Sequence, residues 1–599
     1  MTQSSSPRRT RKPHGSGSLG WFLLCLVAAC VTTFELASHA WADSPPPGKS
    51  SSPAPAPSSL VLITVEGLRP DYLTCYRKGS ATKTPEIDKL AAGSWLFEQV
   101  VTPSVSTLPA LATLLTGRTP FQHGVWDDDY RNKLPEKEAT LAEILQAKGY
   151  RTGAFLGTSR MAVGRGFDQG FDLFQDGYVP LPSGGWRLLP RPAQSVVGGA
   201  TSWLNGIADR PFFLWVHFVD PAMPGKGAIP LPSADLLSTY RERVKTLDSE
   251  VGRLLAALKS RKDYSKMLVV LTADHGMGLG DHGERRSGSF LYESTLRVPL
   301  ILKTPEGSGA GGGRVRELAG LVDVFPSLQR LLGLPTPAGL RGRDLLEAVK
   351  TATVSYPSTA LMGREVFGWA GKESVAQGPW RLILSPRAEL YDLGADPGQN
   401  RDFSGSRPSE VARLKGLLAA LADGARIPPA HFLEGSGPDP GLNKKLTEMG
   451  LAPATREAAL RRVLPEPKKF GDALPLIEEM HFFTEALGFT VMRKLQGDLL
   501  KADPEALFTL VGLSSLSRDS GQEEKERAGA MLRTAQKLYP LEPEIYHSLA
   551  HAALAERRHA DAESLLRVAL SLSPRYPAEI LYDLACARAL RGDKIGALS

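Results

Sequence analysis

Short apolar runs recur along the first half of the chain: LVLITV (60–65), TGAFLG (152–157), PFFLWVHFVD (211–220), MLVVLTAD (267–274) and VPLILKT (298–304). Each is rich in β-branched or aromatic residues. Runs of this length, apolar at nearly every position, predict strands buried on both faces, as in a parallel sheet. Between them, TPEIDKLAAGS, TLAEILQAKG and YRERVKTLDSEVGRLLAALKS space their apolar residues as helices do. Strands alternating with helices predict an α/β fold whose parallel sheet is sandwiched by helices.

The pattern changes at both ends. Arg8, Arg9, Arg11 and Lys12 precede an apolar run at 20–34, and Ala40-Trp41-Ala42 offers a small-residue cleavage site. Residues 1–42 therefore read as a signal peptide. Val27-Ala28-Ala29-Cys30 also resembles a bacterial lipobox, which makes residues 1–42 a lipoprotein signal with Cys30 as the membrane tether. Either reading predicts an exported protein of the periplasm or cell envelope, lipid-anchored in the second case. Residues 43–59 are Pro, Ser and Ala and read as a spacer. The α/β domain is expected over 60–425 and a helical connector over 426–504. In 505–599, Tyr546, Leu549, Ala550, Ala553, Ala562, Leu566, Ala569 and Pro574 fall at the positions of a tetratricopeptide helical hairpin. An all-helical tail that binds a protein partner is the expectation, with a plain helical cap as the alternative.

Composition narrows the function little. The net charge of +7 is largely accounted for by the basic N-terminus. Elsewhere no Lys/Arg cluster interleaved with aromatics appears, so no nucleic-acid partner is expected. The four cysteines, Cys25, Cys30, Cys75 and Cys586, form no CxxC pair.

Candidate chemistry collects where strands end. Glu66 follows the first run, His217 and Asp220 lie in the third, and Asp274 and His275 end the fourth. Ligands of open α/β sheets bind at that edge, and these are metal-ligand residue types. Three segments then carry a resemblance: VLITVEGLRPDYLTCY, TPSVSTLPALATLLTGRTPFQHGV and LTADHGMGLGDHGERRSGSFLYESTLRVPLILKTP. In this order they resemble the sulfatase branch of the alkaline phosphatase superfamily. WRLILSPRAELYDLGADPGQNRDF is similar to that family's small C-terminal subdomain.

The resemblance implies a sulfate, phosphate or phosphonate ester substrate, as on a glycan or lipid headgroup, and a nucleophile at Thr107. Sulfatases carry a modified Cys or Ser there, so no formylglycine is expected. Ala110 and Leu111 replace the family's Ser and Arg, and Gly67 replaces a second acid. Glu66, Thr107, Asp274 and His275 together resemble the one-metal set of phosphoethanolamine transferases, which implies one divalent ion: Zn, Mn or Ca. A metal-activated Thr107 would attack, with His217 assisting departure. Asp220, His123, His282 and Arg118 are the expected substrate-binding residues, and Asp71 is expected to fix the first loop. Ala222, Ser287 and Leu111 stand where cationic groups are usual, so a silent sulfatase fold serving as a scaffold is the alternative.

Overall fold

The computed structural model describes residues 59–128, 132–158, 160–176, 178–180, 186–188, 190–207, 210–223, 233–307, 311–351, 358–362, 371–422, 438–455, 468, 474, 476, 489–505, 507, 510–512, 521–572 and 578–598. The signal and most of the spacer, with Cys30, lie outside these residues.

Leu60–Val65 (β1) runs through the middle of an eight-stranded sheet, and all six of its side chains are buried. The remaining strands are β2 (Trp95–Val101), β3 (Arg151–Leu156), β4 (Leu173–Gln175), β7 (Phe212–Phe218), β8 (Leu268–Ala273), β9 (Arg297–Lys303) and β10 (Gly313–Gly320). A separate short hairpin holds β5 (Tyr178–Pro180) and β6 (Trp186–Leu188). The sheet order is β10-β2-β9-β8-β1-β7-β3-β4. β1 pairs parallel with β7 and with β8.

The sheet is mixed, where a parallel one is expected from the sequence. β9 runs antiparallel to β8 and to β2. The chain leaves β8 at Ala273 and re-enters the sheet at Arg297 beside it, without a crossover to the far end. An apolar strand reads the same in either direction, so its sequence does not report this turn.

Helices cover both faces. Ser233–Lys259 buries Tyr240, Val244, Leu247, Val251, Leu254, Leu255 and Leu258, one stripe at helical spacing. Ala193–Gly206 packs against that helix and against β3 and β7. Thr107–Thr116 is buried at every position. It ends at Gly117, which has φ +69°, and a Cβ there would lie 2.6 Å from Phe325. Both the left-handed turn and the close packing thus require glycine.

β11 (Ser358–Met362), β12 (Lys372–Gln377), β13 (Trp380–Leu384) and β14 (Ala388–Asp392) form an antiparallel sheet. The helix Pro408–Ala422 buries Leu414 and Leu418 against it. Beyond lie the helices Gln522–Leu538, Pro543–Ala555, His559–Leu572 and Ala578–Leu590. They share a core with Leu442 and Leu446 from Pro440–Glu448. Among the described residues, no helix is long and apolar enough to cross a membrane.

Candidate metal centre and nucleophile

Register builds the site. Val65 is level with Phe218 of β7 and Ala273 of β8. Glu66 and Asp274, each the next residue, therefore leave the sheet side by side. The Glu66 N–H donates to Phe218 O at 2.7 Å, and the Asp274 N–H to Val65 O at 3.3 Å. His217 lies one row back, level with Thr64. One oxygen or nitrogen each of Glu66, His217 and Asp274 lies within 4.8 Å of the other two, and all three residues are buried.

The hydrogen bonds assign the free lone pairs. Thr64 Oγ1 accepts from Trp215 Nε1 at 2.9 Å and donates to Val216 O at 3.3 Å. It also lies 2.9 Å from His217 Nδ1. All of these bonds are satisfied when Nδ1 carries the imidazole proton, which leaves Nε2 a bare acceptor. His217 Nε2 is buried without a hydrogen-bond partner. Burial first, then His275 and Arg160, push His217 down to about 3.

Asp274 Oδ1 accepts from His275 N at 2.7 Å and Gly67 N at 3.3 Å, whereas Oδ2 has no hydrogen-bond partner. Burial lifts the Asp274 carboxyl to about 6; His275 opposes the rise, Glu66 adds to it and the Thr107 hydroxyl opposes it. Two orphaned buried atoms facing a second carboxylate are costly unless a cation joins them. This donor set, two carboxylates and an imidazole, fits a divalent ion.

Thr107 is the first residue of its helix and fully buried. Its Oγ1 lies 3.4 Å from His275 Nε2. His275 Nδ1 is 2.8 Å from Gly276 O, so Nδ1 holds the proton and Nε2 is bare. Nε2 also lies 3.6 Å from Asp274 Oδ2. The hydroxyl expected from the sequence thus stands beside the expected Asp-His pair.

Arg160 escapes sequence reasoning. It lies in the loop after β3, where no motif marks it. Its Nη1 bonds Asp128 Oδ2 at 2.6 Å and its Nη2 reaches within 3.9 Å of Glu66 Oε1. Asp128 Oδ1 in turn accepts from Leu108 N at 2.7 Å. One guanidinium is thereby tied to the start of the Thr107 helix, and it supplies a cation where Leu111, Ala222 and Ser287 have none. Burial opposes its charge, yet Glu66, Asp128 and Asp274 hold its pKa above the ordinary value.

The expected substrate-binding residues do not gather here. Asp220 accepts from Ala193 N at 3.0 and 3.1 Å and caps the helix Ala193–Gly206. His123 pairs with Thr113 Oγ1 at 3.2 Å and accepts from Val125 N at 3.0 Å, and burial lowers it to about 3. Arg118 pairs with Glu138 at 2.8 Å. His282 stacks on Tyr292 at 3.7 Å and bonds Gly398 O at 3.0 Å. It walls a cavity of about 400 Å³ together with Arg69, Asp71, Glu293, Arg297 and Gln399. Asp71 holds Arg69 at 2.9 Å, as its assignment to the first loop implies.

Residues 58–334 match the family model described as Sulfatase. The chain is 28% identical over 469 residues to arylsulfatase A of Homo sapiens, covering 64% of this chain and 92% of that one. It is 26% identical to the steryl-sulfatase of Mus musculus, covering 68% and 87% respectively. Its fold superposes on the phosphonate monoester hydrolase of Agrobacterium radiobacter with a TM-score of 0.52 at 19% identity, over 62% of this chain and 96% of that one.

Proposed function

We propose that this protein, whose residues 58–334 match the Sulfatase family model, is a sulfatase-type hydrolase that cleaves an anionic ester with Thr107 as the attacking residue. The observation that carries this reading is the convergence of Thr107 Oγ1, the orphaned Asp274 Oδ2 and the bare His217 Nε2 at one sheet edge. Glu66, His217 and Asp274 would hold the ion, with His275 Nε2 beside them. A divalent ion held there would lower the pKa of a nearby hydroxyl and offset charge on ester oxygens. Its identity, Zn, Mn or Ca, is read by metal analysis of the purified chain.

The chain's own groups do the rest. The Thr107 proton leaves to His275 Nε2, 3.4 Å away. Oγ1 bonds to sulfur or phosphorus, the ester oxygen departs with its electron pair, and water later releases the acid from Thr107. Arg160 faces charge that develops on the transferred group. His217 is placed to serve as an ion holder, in place of the leaving-group acid expected from the sequence, because its Nε2 carries no proton to give.

The test is turnover of aryl sulfate, aryl phosphate and phosphonate monoester probes by the metal-loaded chain. Turnover of at least one, lost in Thr107→Ala, supports the reading; unchanged turnover in that variant overturns Thr107. Unmodified threonine is expected in the peptide mass, and a peptide lighter by two hydrogens would overturn that expectation.

Silent scaffolding has one observation in its favour. Ala110 and Leu111 are fully buried and place no polar side chain beside Thr107. Absence of turnover across the panel with metal bound would favour it. We also propose that residues 1–42 direct export to the periplasm or cell envelope with Cys30 lipidated, which palmitate labelling of wild type and Cys30→Ala tests. The helical tail is proposed as a tetratricopeptide-like surface for a protein partner, and the ester as one borne on a glycan or lipid headgroup.

A further inference from the structure

Away from the sheet edge, His547 and His551 lie one turn apart on the helix Pro543–Ala555, and Asp583 faces them from Ala578–Leu590. His547 Nε2 is 2.7 Å and His551 Nε2 2.6 Å from the same oxygen, Asp583 Oδ2. The two Nε2 atoms are 3.1 Å apart. The rings stand edge to face, 83° between planes. All three residues are partly buried, at 16%, 25% and 19% side-chain exposure.

We propose that His547, His551 and Asp583 form a second divalent-metal site, one suited to Zn2+ with a water in the fourth position. Two imidazoles turn the same ring nitrogen toward one carboxylate oxygen, which is a chelating arrangement. Ligand bonds of about 2.0–2.2 Å in a tetrahedron place neighbouring ligand atoms about 3.3 Å apart. The observed edges of 3.1, 2.7 and 2.6 Å lie near that value. Entry of the ion needs the two Asp583 edges, 2.7 and 2.6 Å, to open by about 0.6 and 0.7 Å, within reach of one side-chain torsion.

Two borderline nitrogen donors with one carboxylate favour Zn2+ over Ca2+ or Mg2+, which take oxygen ligands. Both imidazoles must then hold their protons on Nδ1. Partial exposure gives the ion a path in and leaves room for the water. The consequence is a cross-link between two helices with the helix His559–Leu572 between them in sequence.

The test uses the tag-free full chain stripped with chelator and titrated with Zn2+ alone. Bound zinc per chain is expected to fall by one equivalent in His547→Ala/His551→Ala and in Asp583→Asn, and to keep that equivalent in Asp274→Asn. Because the readout is a difference, it stands apart from the fate of the sheet-edge site. Equal zinc content in wild type and both tail variants overturns the proposal. Should the variants fail to fold, hydrogen exchange on wild type decides. Zn2+ is expected to slow exchange about tenfold in both Pro543–Ala555 and Ala578–Leu590. Unchanged exchange in both helices overturns the site.

Discussion

Among the described residues stand two histidine–carboxylate clusters, and they handle the same chemistry in opposite ways. At the sheet edge, Glu66, His217 and Asp274 are buried, and two of their polar atoms have no hydrogen-bond partner. In the tail, Asp583 takes up both imidazoles, so that cluster satisfies itself. The first can exist only because eight strands and their helices hold the groups apart and dry. The second needs two helices. Unsatisfied polarity held by a rigid frame marks a place that works on a ligand; satisfied polarity between helices also serves as a plain link.

The largest effect expected is at the sheet edge. Asp274→Ala should abolish the metal equivalent there and lower turnover at least about a thousandfold. Metal analysis and ester turnover measured together check this, and retained turnover without that ion would break the comparison. Arg160→Met comes next, with kcat/KM falling roughly a hundredfold while metal content is kept. A loss of metal with Arg160 would recast it as a structural counterion to Glu66.

Smaller is the tail. His551→Ala should cost the metal-free helical tail about 1 kcal/mol and leave turnover by the metal-loaded chain unchanged. Chemical denaturation of the tail and an ester assay read the two halves of that statement.

Smallest, and opposite in sign between clusters, is the pH response of the metal-free chain. Burial raises the folded Asp274 pKa from 3.8 to about 6, so the stability it contributes is complete below about 3.8 and is lost as pH rises through about 6. Burial also lifts Asp583, but its bonds from His547 and His551 outweigh this and hold it below 3.8. Its contribution is therefore complete above 3.8 and is lost as pH falls through the lower folded value. Melting temperatures against pH for wild type, Asp274→Asn and Asp583→Asn should diverge in these two directions.

Much of the sheet was legible because its central strands are unbroken apolar runs. The structure puts strands at Leu60–Val65, Phe212–Phe218 and Leu268–Ala273, where the sequence places them. β2 and β10 were not, and both carry charge. Glu98 and Gln99 interrupt β2, whose register against β9 shifts between Phe97 and Val100. β10 begins with exposed Arg314 and Arg316 at the sheet's edge, where burial no longer imposes a pattern.

In the site, the strand end marks Asp274 and His275 and the family resemblance adds Thr107; the structure brings these three side chains together. Asp220, expected among the substrate-binding residues, accepts from Ala193 N at the start of its helix, and a helix cap and a ligand look alike in one dimension. His123, also expected there, bonds Thr113 and Val125, ordinary core groups that the sequence does not mark as its partners. Arg160 was overlooked because what gives it meaning, Asp128 and Glu66, lies far off in the chain.

The register of β1 between β7 and β8 has a consequence for timing. Gly67 and Asp274, which hydrogen-bond at the rim, are 207 positions apart. The ligand set comes into being only when those distant strands have closed on β1, a late event for contacts of such sequence separation. A nascent or partly folded chain would hold no competent edge, and uptake of the ion there would signal that the sheet is complete.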